Sequence, residues 1–236
     1  MADDAGALRE VGLAEGRDHD AAVTEDVRAS RRDLVRRGYD TISRAYRDDE
    51  GRSNPGSDEG TDRYQGWIDD LAKLIRPRAR VLDLGCGAGV PATKLLTDRN
   101  FDVLGVDISA VQIERACRLV PRAKFELADM VTWEHEPASF DAVVSFYALI
   151  HIPLADQQDL LAKIRFWLRP AGYLLAIVGS ERWTGIEDYF GAAMFWDHAD
   201  RDTYLAWLKA ADLAPVWDRF VPEGNAGHTL VLARAT

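Results

Sequence analysis

The sequence predicts a doubly wound α/β fold: a mostly parallel, seven-stranded sheet with an antiparallel C-terminal hairpin, entered through a helical N-terminal lid. Three observations carry that prediction. From Arg80 onward, short and nearly continuous apolar runs alternate with amphipathic helical stretches, as in a parallel sheet covered on both faces. A glycine-rich turn, "DLGCGAGVP", follows the first of those runs and opens a helix. The last two runs are separated only by "PEGNAG", a loop suited to an antiparallel hairpin.

The elements follow in order. Residues 1–30 hold eight acids against three arginines, so −5 of the chain's −10 sits in its first eighth. Residues 1–25 therefore read as a solvated acidic tail, disordered at its start. Val27, Leu34, Val35, Tyr39, Ile42 and Tyr46 recur at mostly three- and four-residue steps, which predicts a helix from about Val27 to Tyr46. A turn-rich loop, Asp48 to Gly60, precedes a second helix over Asp62 to Ile75, with Trp67, Ile68, Leu71 and Ile75 on one face and Pro77 as its stop. These helices, residues 26–78, are read as a cap, and residues 79–236 as the main domain. Its strands are expected at Arg80–Leu84, Asp102–Val106, Lys124–Leu127, Ala142–Phe146, Tyr173–Val178, Ala214–Phe220 and His228–Ala233. Its helices are expected at Val90–Asp98, Ala110–Val120, Leu154–Leu168 and Arg201–Ala211. With 47% apolar residues the chain can bury a sizeable core.

Composition narrows the function. The acidic balance is a poor match for a nucleic-acid backbone. No run of eighteen apolar residues exists, and the acidic N-terminus lacks the apolar core of a secretory signal, so a cytoplasmic protein without a membrane partner is expected. Cys86 and Cys117 form neither a disulfide framework nor a metal-ligand spacing, and His19, His135, His151, His198 and His228 are scattered, so no metal site is expected.

Gly85, Gly87 and Gly89 pose the central question of what they cradle. A phosphate loop of the lysine type is excluded, because Val90 and Pro91 follow the last glycine. A dinucleotide fingerprint places its third glycine one residue later. Asp83, two residues before the turn, would also repel a pyrophosphate and suits a cationic ligand better.

"VLDLGCGAG" resembles the first motif of the class I S-adenosylmethionine-dependent methyltransferases, and the likeness continues in order along the chain. "LGVDIS" ends the second strand on Asp107, "ELADM" contains Asp129, "FDAVVSFYALIHIP" resembles the fourth-strand motif with its substrate loop, and "LRPAGYLLAIV" resembles the turn into the fifth strand. The likeness implies a Rossmann-like fold and S-adenosyl-L-methionine as cofactor, with S-adenosyl-L-homocysteine as product. It implies that Gly85, Cys86, Gly87 and Gly89 run along the amino-acid end and ribose, with Asp83 accepting from the ammonium. Asp107 would take the ribose hydroxyls and Asp129 the adenine amino group. Ile108, Ala128, Met130 and Phe146 would be walls, Gln112 a flanking polar group, and Tyr39 and Tyr46 part of a lid across the cofactor.

Methyl transfer from a sulfonium asks for alignment, exclusion of water and sometimes removal of one proton. His151, just past the fourth strand, is the first candidate base, and a structural, orienting histidine is the competing reading. Tyr147 is the second candidate, catalytic or acceptor-binding. The aromatic stretch Ser180 to Asp200 supplies Trp183, Phe195 and Trp196 as candidate acceptor contacts, with a plain packing insert as the alternative. The expected function is methylation of a small-molecule acceptor, natural-product-like, aromatic or heterocyclic, by a monomer or homodimer. The rival is a methyltransferase-like protein that binds the cofactor yet catalyses a non-methyl reaction or acts as a binding partner.

Overall fold

The computed structural model describes residues 24–52 and 61–236. The acidic tail up to residue 23 and residues 53–60 of the turn-rich loop lie outside the described residues. The chain opens with helix α1 (Glu25–Tyr46), whose first turn carries Glu25 and Asp26 where the unpaired amides of a helix start favour negative charge. Helix α2 (Thr61–Ala72) follows. It ends three residues before the expected Ile75, because Pro77 disfavours the helical conformation at Arg76 and the chain leaves the helix a turn sooner.

The alternating region then runs β1 (Arg80–Leu84), α3 (Ala92–Asp98), β2 (Asp102–Asp107), α4 (Ala110–Leu119), β3 (Lys124–Leu127), β4 (Phe140–Ser145), α5 (Leu154–Trp167) and β5 (Leu168–Gly179). After β5 come β6 (Trp183–Tyr189), β7 (Ala192–His198), α6 (Arg201–Ala210), β8 (Leu213–Glu223) and β9 (Ala226–Ala235). Seven strands form one sheet in the order β3-β2-β1-β4-β5-β9-β8. The first five pair in parallel, and β9 lies antiparallel between β5 and β8. The expected doubly wound sheet with its antiparallel end is therefore the observed one.

Alternation along the strands divides the core. Leu82, Leu84, Val143, Leu174 and Val231 face one side with Ile164, Trp167 and Tyr204 of α5 and α6. Val81, Val144, Leu175, Ile177 and Leu232 face the other with Tyr64, Trp67, Ile68 and Leu71 of α2 and Leu96 of α3. The two N-terminal helices thus play different parts. Helix α2 covers the sheet, while α1 packs Val35 and Ile42 on Met194 and Phe195 of β7.

The segment β6–β7 differs from expectation. The stretch read as an aromatic insert is a separate two-stranded hairpin, paired from Trp183↔His198 to Tyr189↔Ala192. Its turn residues Phe190 and Gly191 both have positive φ, 53° and 85°. That geometry is the tight hairpin turn in which Asn-Gly is the usual signal, and phenylalanine in the first position hid it.

Strand order reverses between β1 and β4, since β1 continues to β2 on one side and meets β4 on the other. Ligand crevices in such sheets form at the carboxyl ends of the strands at this point. Ile68 is fully buried between α2 and the sheet. Ile68→Ala should cost about 2–5 kcal/mol, measured as a lower urea midpoint at unchanged slope; an unchanged midpoint would place α2 off the core.

Candidate active site

The glycine turn leaves β1 at the switch point. Gly85, Gly87 and Gly89 have φ of 79°, 54° and 74°, the left-handed region that side chains rarely adopt. Their reasons differ. A Cβ on Gly85 would stand 2.2 Å from the Cβ of Ala148, so this glycine lets the turn touch the segment after β4. A Cβ on Gly87 would meet only Gln112 Nε2, at 3.8 Å, and Gly87 lines the cavity: the bare backbone faces open space that a side chain would fill. Gly89 instead lies against Val120, Phe125 and Ala116, seating α4, and does not line the cavity.

Two carboxylates stand at the ends of neighbouring strands beside this turn, Asp83 buried and Asp107 half-buried. Asp83 accepts from Thr93 Oγ1 at 2.6 Å, and Asp107 accepts from the backbone N–H of Gly87 at 2.8 Å and of Ser109 at 2.9 Å. Burial pushes the Asp83 carboxyl up to about 7, against the Thr93 hydrogen bond and helped by repulsion from Asp107. Burial likewise raises Asp107 to about 6, partly offset by its backbone donors, with Asp40 of the lid adding repulsion. Burial also pushes the Cys86 thiol up, so this residue is a neutral packing group.

The cleft has two lobes. The larger, about 650 Å³, is lined by Gly85, Gly87, Asp107, Ile108, Gln112, Asp129, Met130, Phe146, Tyr147, Ala148, His151 and Ile152, with Arg32, Val35, Tyr39 and Tyr46 of α1 closing it. The smaller, about 440 Å³, shares Gly85, Gly87, Gln112, Phe146 and Tyr46 and adds Asp83, Cys86, Arg47 and Tyr64. Ala128 packs beneath, against the core, rather than on either wall. The lid is tied down by hydrogen bonds: Ser43 Oγ donates to Gln112 Oε1 at 2.7 Å, and Ser109 Oγ donates to Asp40 Oδ1 at 2.6 Å.

His151 sits on a single 3₁₀ turn after β4 and is 3% exposed. Its Nδ1 lies 2.7 Å from the carbonyl oxygen of Phe195, which only accepts, so Nδ1 carries the proton. Nε2 is then the acceptor for the Tyr39 hydroxyl at 2.9 Å. Burial lowers the His151 pKa to about 4, against the Phe195 hydrogen bond. The imidazole is neutral across the physiological range, and its lone pair meets Tyr39. Tyr147, at φ 59°, donates its hydroxyl to Glu223 Oε1 at 2.6 Å, and the other Glu223 oxygen takes His228 Nδ1 at 2.9 Å. Burial opposes the charge on Glu223, but His228 and the Tyr147 hydrogen bond outweigh it and lower its pKa.

The three aromatics of the β6–β7 segment part company here. Trp183 is 47% exposed and lies off the cavity. Phe195 buries its ring under α1 with Arg31 stacked 4.5 Å above it, and serves the site through its carbonyl. Trp196 stands behind His151, ring centres 4.2 Å apart. The pleat explains the division, because neighbouring strand residues face opposite sides. Sequence reasoning passed over Arg32, Val35, Arg47, Tyr64 and Glu223. Arg32 and Val35 were legible, lying seven and four residues before Tyr39 on the same helix face. Glu223 had no signal, since the β8–β9 hairpin joins it to Tyr147 only in space.

The raised carboxyls have a consequence for stability. A carboxyl that titrates higher when folded favours the native state at low pH, and that advantage is lost as pH rises through the folded value. For Asp83 the window runs from about 4 to about 7. His151, held neutral, acts with the opposite sign over about 4 to 6.5, so the difference between proteins is the readout. Asp83→Asn should gain stability over the wild type by a few kcal/mol between pH 5 and 8, followed by thermal melts; parallel curves would mean Asp83 is ionised throughout.

Comparison with known proteins meets this geometry. Residues 81–172 match the family model described as a methyltransferase domain. Over 143 residues the chain is 34% identical to the 27-O-demethylrifamycin SV methyltransferase of Amycolatopsis mediterranei, covering 57% of this chain and 50% of that protein. The chain thus spans about half the length of that curated relative or less in the others it matches. Among solved structures, the fold is like that of the Burkholderia thailandensis 1,6-didemethyltoxoflavin-N1-methyltransferase with bound 1,6-didemethyltoxoflavin and S-adenosylhomocysteine, with a TM-score of 0.68 at 23% identity over 92% of this chain and 93% of that one. It is also like the cyclase SpnF, with a TM-score of 0.66 at 18% identity over 85% and 94% of the chains. The glycine turn and the acids of β1 and β2 all lie within residues 81–172, the stretch that matches the methyltransferase-domain model.

Proposed function

We propose that the chain transfers a methyl group from S-adenosylmethionine to a small-molecule acceptor held under α1. The observation that carries this reading is the charge layout of the smaller lobe. Asp83 and Arg47 both line it, an acid and a guanidinium matched to the ammonium and carboxylate of an amino-acid end. Carboxyls held up at about 7 and 6 also fit a cationic ligand that would lower both. Asp107 would take the ribose hydroxyls with the lone pairs that its two backbone donors do not use, and Asp129 the adenine amino group. Ile108 and Met130 would hold the base between them. When bound, the cofactor supplies an electrophilic methyl on a sulfonium.

The acceptor side is aromatic and neutral. Tyr39, Tyr46, Tyr147 and Ile152 form its wall, which suits a largely apolar acceptor of the aromatic or heterocyclic kind. His151 acts through Tyr39. Its lone pair fixes the phenol and takes the phenol's proton if the acceptor gives one up to the Tyr39 oxygen. With a pKa of about 4 the imidazole is too weak a base to strip an unactivated hydroxyl by itself, so orientation is its main service. Among the described residues, no helix is long and apolar enough to cross a membrane.

The direct test is incubation with S-adenosylmethionine and a panel of phenolic, heterocyclic and amine acceptors, reading S-adenosylhomocysteine and a mass gain of one methyl. Cofactor binding without either product would favour the rival reading of a non-methyl catalyst on the same fold. Asp107→Ala should weaken S-adenosylhomocysteine binding by about 1.5–3 kcal/mol in calorimetry, and unchanged affinity would remove it from the ribose. Tyr39→Phe should lower turnover roughly five- to tenfold, the worth of one hydrogen bond of about 1 kcal/mol. S-adenosylhomocysteine affinity should stay within about twofold; equal losses in both would make Tyr39 a cofactor residue only.

A further inference from the structure

One guanidinium reaches from the lid into the wall of the larger lobe. Arg32 is 4% exposed and lines the cavity. Its Nε donates to Asp129 Oδ2, its Nη1 to Asp156 Oδ2 and its Nη2 to Glu25 Oε1, each at 2.7 Å. Arg28, one turn earlier, donates to the other Asp156 oxygen at 2.7 Å. Asp156 lies in the first turn of α5 and is buried. Three elements are therefore joined at one side chain: the lid helix, the loop after β3 and the start of α5.

The effect on Asp129 is specific. Its Oδ2 accepts from Arg32 and its Oδ1 from the backbone N–H of Val131 at 3.0 Å. With one donor on each oxygen, the plane of the carboxylate is fixed and both oxygens are committed as acceptors. A guest that meets Asp129 at this wall meets a carboxylate that takes hydrogen bonds and gives none. Without Arg32, Asp156 would keep Arg28, but Asp129 would keep only the Val131 amide on one oxygen, with its second oxygen unheld and its charge unpaired.

We propose that Arg32 is a positioning residue for recognition of the purine: by orienting Asp129 from the lid helix, it makes the choice of a 6-amino over a 6-oxo purine and the seating of α1 a single event. The inference rests on the reading of this cleft as the cofactor site. A 6-amino group donates into the acceptor face and completes it. A 6-oxo group would set oxygen against oxygen, an unpaired contact that a fixed carboxylate cannot relieve by turning. A purely structural ion pair would affect lid stability but would not distinguish the two bases.

The test is calorimetric titration of the full chain with S-adenosyl-L-homocysteine and S-inosyl-L-homocysteine. The wild type should favour the adenosyl compound by about tenfold or more. Arg32→Gln should reduce that ratio at least about fivefold, with Arg32→Lys in between. A ratio unchanged in Arg32→Gln, with both affinities falling by one factor, would overturn the proposal, as would a wild type with no preference. Hydrogen exchange on the wild type needs no variant to fold: saturation with the adenosyl compound should protect amides of residues 25–46 more than saturation with the inosyl compound, and equal protection would also overturn it. Failure of the wild type to bind S-adenosyl-L-homocysteine at all is a separate result, which removes the cofactor reading beneath it.

Discussion

Two carboxylates, one buried and one half-buried, govern the carboxyl edge of this sheet. Asp83 and Asp107 end adjacent parallel strands, and the register that pairs Leu84 with Val106 brings both to the same rim. An ionised carboxylate in such surroundings is costly unless hydrogen bonds or a cation compensate. The protein supplies hydrogen bonds in part: Thr93 for Asp83, the amides of Gly87 and Ser109 for Asp107. These bonds require a backbone that turns sharply straight after β1, which is why glycines with positive φ stand there. The remainder of the cost is left uncompensated, visible as carboxyl groups titrating near neutrality. A cation beside them would recover that cost, which is why the positively charged cofactor proposed above suits this site.

The lid answers the same constraint from above. Helix α1 approaches β7 closely at Gly38, where a Cβ would stand 2.7 Å from the Met194 methyl. At its far end Arg115 of α4 caps the last turn, donating to Ser43 O, which also takes the Arg47 N–H, at 2.6 Å and to Arg47 O at 2.9 Å. One face of α1 then delivers Arg32, Val35, Tyr39 and Tyr46 to the cavity at helical spacing. A helix held in place by α4, β7 and the Asp129 loop is coupled to each of them.

The main sheet was legible because its signals are local. Strand runs such as Val81–Leu84 and Val143–Val144 are apolar on both faces, and the glycine turn between strand and helix is a short-range pattern. The ends were less legible: β8 and β9 run on to a two-residue turn after Glu223, and β5 starts at Leu168 directly after α5, because pairing with neighbours extends strands past the point where propensity falters. The β6–β7 hairpin escaped notice since Phe190 occupies a turn position that usually announces itself with asparagine or glycine. In the site, the acids and glycines of one continuous motif were readable. Pairs created by the fold were not: Arg32 with Asp156, Tyr39 with His151 and Tyr147 with Glu223 are separated by 124, 112 and 76 residues.

The two sides of the cleft differ in charge, and that difference bears on chemistry. Acids and guanidinium groups gather on the side of Asp83, Asp107, Asp129 and Arg47. Across from them the wall is phenol, indole-backed imidazole and aliphatic carbon, with His151 kept neutral by burial and Glu223 turned toward Tyr147 and His228. Strong acid–base catalysis would place a group titrating near neutrality on the proposed acceptor side, and the two raised carboxyls, Asp83 and Asp107, lie beside the glycine turn instead. A neutral wall with fixed phenols favours alignment of two bound molecules and exclusion of water over proton removal. For the methyl transfer proposed above, whose electrophile would arrive already charged, alignment and exclusion of water would suffice, and α1, which lines both lobes, is placed to provide them.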